Sequence, residues 1–460
     1  MKKTFTAILC TISAVLLMSG CASSSSTSKM IKLPVPPREA GQTDMLEFKC
    51  DPIPLVRIGF IGVGNRGPDH VRILCNVPDC QVVALCDLYQ NRVDSTQKIL
   101  ERAGKPRAQE YVGEDAWKKL CENDSIDLIY IATDWMAHAP MAVYAMQHGK
   151  HVAIEVPAAM SVKECWDLVN TSEKTRKHCM MLENCCYDFF EMTTLNMAQH
   201  GLFGDVMHVE GAYIHDLRGM NFNDQDHDGY QGYWRLKYNT EHTGNPYPTH
   251  GLGPISQILN IHRGDKMNYL VSLSSDEAGL SSYAAERFGK DSEQATTKRA
   301  LGDMNTTLVR TEKGKSIMIQ HDVSDATPYS RLHTIRGTKG VAQKYPIQGI
   351  AIDPEAERFM TGAQLDSMLA AWEHPLTKEL GAKAKEVGGH GGMDYIMNYR
   401  LIHCLHNGLP LDEDVYDAAE WSCLVELSEI SVKNGSAPVE VPDFTRGAWN
   451  KIDGFHLAGY

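Results

Sequence analysis

Three glycines, Gly62, Gly64 and Gly67, close an apolar run from Val56 to Ile61 and open a helical pattern through His70, Val71, Ile73 and Leu74. Strand, tight turn and helix in that order are what a pyrophosphate requires. Gly62 permits the turn, Gly64 lets the backbone approach the phosphates, Gly67 lets helix and strand touch, and the helix N-terminus favours the negative charge. A second apolar run, residues 82–86, ends in Asp87, whose carboxylate can accept hydrogen bonds from the adenosine ribose hydroxyls and would repel a 2′-phosphate. NAD is therefore expected rather than NADP. Different chemistry gathers further along, where Tyr213, His215, Tyr230, Trp234, Arg235, Tyr247 and His250 crowd a stretch poor in aliphatic residues. Rings that cover sugar faces and polar tips that bind hydroxyls suit a carbohydrate cleft, although a solvated loop has the same composition.

These residues need a scaffold, and the pattern around them supplies one. Residues 126–133, 151–155 and 179–183 read as buried strands, and 136–149 and 162–176 as helices. Strands alternating with helices of this length predict an α/β fold whose N-terminal part is a Rossmann, doubly wound parallel sheet. Ligands of such sheets sit beyond the strand C-termini, which brings Thr133 to His138, Glu155-Val156-Pro157 and Glu183-Asn184 toward the reactive end of the cofactor. Beyond about residue 200 the rhythm changes to strands at 206–215, 268–274, 306–311, 316–323 and 333–336, with helices at 255–261 and near the C-terminus. That predicts a C-terminal α+β domain with a largely antiparallel open sheet.

The first twenty residues pair Lys2-Lys3 with an apolar run ending Ser19-Gly20-Cys21, the pattern of a lipoprotein signal peptide over 1–20 with a lipid anchor at Cys21. Residues 21–50, rich in Ser and Pro, read as a flexible tether. An NAD-binding domain over 51–185 and a substrate domain over 186–460 follow, about 410 residues being more than one core usually holds. The expected location is outside the cytoplasm on a bacterial membrane, periplasmic or cell-surface side. With 45 basic against 58 acidic residues, net −13, and no basic run, nothing recommends a nucleic-acid partner. No apolar stretch after residue 20 is long enough to span a bilayer. Thirteen cysteines without a CxxC pair, most of them in apolar runs, read as small buried hydrophobes, so no metal and no redox role is assigned.

The glycine turn, the Glu-x-Pro strand end and the following sheet domain resemble the glucose-fructose oxidoreductase (Gfo/Idh/MocA) superfamily. More closely, the chain is similar to glycoside hydrolase family 109, from Arg57 to about Val441. The most specific stretches are Gly62-Val-Gly-Asn-Arg-Gly67, Trp135-Met-Ala-His138, Glu155-Val-Pro157, Glu183-Asn184, Tyr213-x-His215, Trp234-Arg235, Tyr247-Pro-Thr-His-Gly-Leu-Gly-Pro254 and Gly389-His-Gly-Gly-Met-Asp394. Superfamily dehydrogenases carry a lysine between the Glu and Pro that helps move the alcohol proton; here, as in the glycosidase family, the position is Val156. The resemblance implies an NAD site of Gly62, Gly64, Asn65, Arg66, Gly67, Asp87, Trp135, His138, Glu155, Val156, Asn184 and Tyr247, and a sugar site of Tyr213, Arg235, Tyr247, His250 and Tyr329. His390 either lines that site or is a turn residue.

What the resemblance implies about activity is an NAD-dependent retaining glycosidase acting on a glycan or glycoconjugate, with α-N-acetylgalactosamine as the expected sugar. C3 of the sugar would be oxidised transiently, the C1 substituent eliminated, water added, and the cofactor recycled in every turnover. His250 is expected to accept the C3 hydroxyl proton. Tyr213, its acidity raised by cationic or donating neighbours, is expected to remove the C2 proton. Two other readings stand beside this one: a net sugar or cyclitol dehydrogenase, and a glycan-binding lipoprotein whose Rossmann half is only a scaffold. A homo-oligomer is compatible with all three.

Overall fold

The computed structural model describes residues 29–225 and 229–460, so the expected signal peptide, the expected anchor Cys21 and the start of the expected tether lie outside the described residues. Six parallel strands, β1 (Val56–Ile61), β2 (Cys80–Asp87), β3 (Gln109–Val112), β4 (Leu128–Ile131), β5 (His151–Ile154) and β6 (Cys179–Met181), form one sheet in the order β3-β2-β1-β4-β5-β6. β4 and β5 are buried throughout because helices cover both faces, which is why their sequences are continuous apolar runs rather than alternating ones. From β1 the chain winds outward through β2 and β3, then returns to β4 on β1's other side. A crevice opens where the direction reverses, beyond the C-termini of β1 and β4.

The second sheet has eight strands: β7 (Val206–Ile214), β8 (Met267–Ser274), β9 (Asn305–Thr311), β10 (Ser316–Asp322), β11 (Thr334–Gly337), β12 (Gly340–Gln343), β13 (Gly349–Ile352) and β14 (Val439–Glu440), ordered β13-β12-β11-β7-β10-β9-β8-β14. Every pairing is antiparallel except β7 with β10. The long helix Thr249–Leu259 lies against β7 because both surfaces are glycine where they meet. A Cβ on Gly211 would stand 2.2 Å from the Gly251 carbonyl oxygen, and one on Gly251 would stand 2.3 Å from the Ala212 nitrogen. One continuous apolar cluster joins the two sheets, from Ile58 and Ile129 through Leu252 and Trp421 to Ile317.

Sequence patterning placed the start of folded structure near Cys50, and the structure moves it earlier. Ile31 bridges to Val439, Arg38 pairs with Glu173 at 2.9 Å, and Met45 is buried, so this part of the expected tether is laid against the body. Its low periodicity reflects side chains that fill gaps in a surface built by others. The described cysteines form no disulfide.

Candidate active site

One cavity of about 610 Å³ runs from Gly62, Gly64 and Asp87 past Trp135, Glu155 and Val156 to Tyr213, Arg235, Tyr247 and His250. At its first end the glycine turn is as close as spacing predicts. A Cβ on Gly62 would lie 2.5 Å from the Ala132 carbonyl oxygen, and one on Gly67 would lie 2.1 Å from the Gly62 carbonyl oxygen. Asp87 ends β2 and accepts from the Val63 and Tyr89 backbone amides at 2.9 and 3.1 Å. Arg92 stands 3.3 Å from the same carboxylate, so the ribose end of the cavity carries a cation as well as the Asp87 charge.

In the middle of the cavity, Glu155 accepts from His70 at 2.7 Å and lies 3.7 Å from Arg66. Burial alone would raise the Glu155 pKa, but the His70 hydrogen bond and Arg66 outweigh it and hold the carboxyl down at about 2. Arg66 also reaches Asp394 at 3.0 Å, and the Asn184 amide donates to Asp394 at 2.6 Å, so both are fixed by one buried carboxylate. His138 lines the cavity, but its ring nitrogens meet the carbonyls of Pro157 and Thr133 at 2.8 and 3.1 Å. It ties two strand-end loops together instead of offering a free polar group. Asn65 and Val156 both line the cavity.

At the far end the glycines position the chemistry. Gly253 leaves room for Glu183, whose Cγ would be 2.7 Å from a Cβ there, and Glu183 reaches His250 Nδ1 at 2.7 Å. A buried carboxylate on Nδ1 holds the proton there and leaves the Nε2 lone pair toward Tyr247, whose hydroxyl is 3.4 Å away. The Glu183 amide donates to Glu413, whose own carboxyl burial and the Glu183 charge push far above the usual range. Arg235 sits in an aromatic cage, its guanidinium 4.7 Å from the Trp135 ring centre, 5.0 Å from Tyr247 and 5.2 Å from Tyr230. Nη1 donates to the Tyr230 hydroxyl at 2.9 Å, while Nε and Nη2 are buried without a protein partner.

Tyr213 overturns one expectation. Burial pushes its phenol well above the usual value and outweighs the Arg235 charge, so its acidity is lowered, not raised. Its hydroxyl instead bonds His215 Nδ1 at 2.9 Å, and burial together with the Arg235 charge lowers the pKa of that imidazole. Tyr329 is absent from the cavity lining; it stands edge-on to Tyr213 and His215 with ring centres 6.1 and 5.0 Å away. His390 does line the cavity.

The comparisons with known proteins agree with this layout. Residues 56–183 match the oxidoreductase family, NAD-binding Rossmann fold, and residues 187–451 match the glycosyl hydrolase 109 C-terminal domain. The chain is 59% identical over 410 residues to the alpha-N-acetylgalactosaminidase of Bacteroides fragilis, covering 89% of this chain and 96% of that one. The chain belongs to glycosyl hydrolase family 109. It is a glycoside hydrolase with an NAD-binding Rossmann domain. Among solved structures, an oxidoreductase domain protein from Kribbella flavida shares the fold at 17% identity, TM-score 0.63, over 85% of this chain and 100% of that one. A levoglucosan dehydrogenase solved with NADH and L-sorbose does so at 16% identity, TM-score 0.60, over 85% and 100%.

Within this family 109 chain, sequence reasoning missed three polar groups that hold the site residues. His70 and Asp394 stand in stretches that the motifs include and Glu413 on a helix approach, but nothing in their spacing gives any of the three a role. Only burial reveals them: all three are almost fully enclosed. The segment expected to form the sugar cleft is described except for residues 226–228.

Proposed function

We propose that the protein is a retaining α-N-acetylgalactosaminidase whose NAD is recycled within each turnover. The observation that carries this reading is the single cavity that leads from the glycine turn to the Glu183–His250 pair and the Tyr213–His215 pair. The relative at 59% identity bears that activity in its name.

The residues fit the dinucleotide, since the glycine turn has no room for side chains and Asp87 stands at the end of β2 for the ribose. When bound, NAD supplies reversible oxidation at C3 of the sugar, which acidifies the C2 proton. Asn65, Arg66, Trp135, Val156 and Asn184 would hold the cofactor. His250 takes the C3 hydroxyl proton at Nε2, and Glu183 stabilises the imidazolium that results. Tyr213 receives the C2 proton on its oxygen as its own proton passes to His215 Nδ1, so no free phenolate need persist in the buried site. The unpartnered nitrogens of Arg235 suit a hydroxyl or the acyl oxygen of an N-acetyl group. Tyr247 orients the ring, and Tyr329 supports Tyr213 from behind. Export and anchoring at Cys21 belong to the same reading, because a protein that keeps its cofactor once it has bound it needs no exchange with an NAD pool between turnovers; radiolabelled palmitate incorporation, lost in Cys21→Ala, checks the anchor.

The test is an assay of purified protein on a panel of aryl glycosides without added NAD, followed by turnover in D₂O. The expected outcome is cleavage of the N-acetyl-α-galactosaminide, deuterium at C2 of the released sugar, and a primary isotope effect with C2-deuterated substrate. Normal turnover with neither label effect would defeat the redox mechanism. Stoichiometric NADH release from a free sugar would point instead to a net dehydrogenase.

A further inference from the structure

Glu183 and Cys185 flank Asn184 at the start of the turn Asn184–Tyr187, and the helix Thr249–Leu259 brings His250 to the same place from a distant part of the chain. One carboxylate oxygen of Glu183, one ring nitrogen of His250 and the Cys185 sulfur all lie within 4.8 Å of one another. A cation at their centre is then at most about 2.8 Å from each, and closure by less than an ångström gives the roughly 2.0–2.3 Å of Zn–O, Zn–N and Zn–S bonds. The donors are not all engaged. Glu183 Oε1 accepts from His250 Nδ1 at 2.7 Å and from the Cys185 amide at 3.1 Å, whereas Oε2 is buried without a partner among the described residues. An enclosed carboxylate oxygen of this kind calls for a donor or a cation. The Cys185 thiol meets the Asn184 amide oxygen at 3.4 Å, a weak contact that a metal bond would replace.

A second group with such spacing, His262, Asp414 and Asp417, differs in charge: Arg263 already supplies a cation there, 2.7 Å from Asp417. We infer that Glu183, Cys185 and His250 form a binding site for a thiophilic divalent cation of the Zn²⁺ or Cd²⁺ type, whose occupation switches the enzyme off. Thiolate and imidazole select such ions, while Mg²⁺ and Ca²⁺ prefer sites made of oxygen alone. Charges balance. The thiol releases its proton to solvent on binding, and thiolate and carboxylate together neutralise the two positive charges. His250 ligates through Nδ1, the nitrogen that faces Glu183, so its ring proton moves to Nε2. That nitrogen then donates where it has to accept, and the C3 hydroxyl proton has nowhere to go. The ion enters through the cavity, which Asn184 and His250 both line. Loss of activity rests on the glycosidase reading above; binding of the cation does not.

The experiment titrates the purified holoprotein with Zn²⁺, with Cd²⁺ and with Mg²⁺ as the hard-ion control, for the wild type, Cys185→Ser and Cys185→Ala, each with its NAD content measured. Two signals are read: hydrolysis of an aryl N-acetyl-α-galactosaminide, and the ultraviolet absorption of a thiolate bound to Cd²⁺. The wild type should lose activity with Zn²⁺ and Cd²⁺, recover it with EDTA, and ignore Mg²⁺. In both variants the half-inhibitory Zn²⁺ concentration should rise by at least about 10²-fold, since losing a group that merely orients a metal ligand already costs roughly 10–100-fold. The cadmium absorption should fall with it. Equal half-inhibitory concentrations, equal absorption, or a wild type indifferent to Zn²⁺ would overturn the site. If the wild type cleaves no N-acetyl-α-galactosaminide, the glycosidase reading fails, and the absorption difference alone decides whether the cation binds here. If neither variant folds, cadmium NMR of the wild type decides instead: one sulfur among nitrogen and oxygen ligands is expected, and an all-oxygen or all-sulfur signal overturns the site.

Discussion

At the scale of single residues, the site is governed by Glu183 and Asp394, carboxylates that stand behind the cavity lining. Glu183 decides which nitrogen of His250 carries the proton, at 2.7 Å from Nδ1, and Asp394 does the same for His390 while also fixing Arg66 and Asn184. Glu183→Gln preserves shape but can present its amide to Nδ1, turning the imidazole into the wrong tautomer. We expect kcat to fall by roughly 10²-fold or more with NAD still bound, the consequence of losing a carboxylate that orients a catalytic histidine. Steady-state kinetics together with dinucleotide released on denaturation check this; unchanged kcat would mean that His250 needs no orienting partner. Composition could identify Tyr213 and His250 as chemistry-bearing but not the acidity of Tyr213, because that depends on burial. Tyr213 illustrates the gap: a nearby cation was a fair expectation, yet desolvation outweighs it.

Among the elements, legibility follows how local the cause is. The turn from β1 into the helix Arg66–Leu74 was readable because Gly62, Gly64 and Gly67 act within six residues of one another, and the apolar runs of β4 and β5 because a sheet covered on both faces forces them. β12, β13 and β14 were not readable, being two to four residues long, too short for an alternation to show, and β14 is held only by β8, far away in the chain. The contact of Gly211 with Gly251, which brings His250 beside Tyr213, also escaped, since neither glycine marks a turn. A test at this scale uses Gly67→Ala, whose Cβ would stand 2.1 Å from the Gly62 carbonyl oxygen. Backbone there cannot yield as a flexible side chain would, so the turn must open and the helix retreat from the phosphates. The variant should lose bound NAD and glycosidase activity together, measured by mass spectrometry of the denatured protein and by aryl glycoside hydrolysis. Full retention of the dinucleotide would mean that the cofactor does not rest on this turn.

Across the whole molecule, the two sheets are joined by the shared apolar cluster and by a buried charge network behind the active site. His262 and Arg263 follow the helix Thr249–Leu259 that carries His250, and they face acidic residues of the helix Val415–Ser422 and its approach. His262 Nδ1 lies 2.8 Å from Glu420, its Nε2 lies 3.4 Å from Asp414, and Arg263 grips Asp417 at 2.7 Å. Burial and the Arg263 charge both disfavour a charged imidazole, but Asp414, Asp417 and Glu420 together outweigh them and push the His262 pKa up to about 10 from its ordinary 6.5. A folded pKa above the unfolded one means that the folded state holds its proton more tightly. This contribution to stability is fully present below about pH 6.5 and is lost progressively as the pH rises through about 10. The melting temperature should accordingly decline across that window. His262→Gln should melt lower than wild type at neutral pH, because the buried carboxylates lose a cation, and should show a shallower decline from pH 6.5 to 10 because the titrating group is gone. Calorimetry of both proteins at fixed ionic strength supplies the comparison; parallel curves across the window would show that His262 is neutral in the folded protein and that Arg263 alone balances the acids.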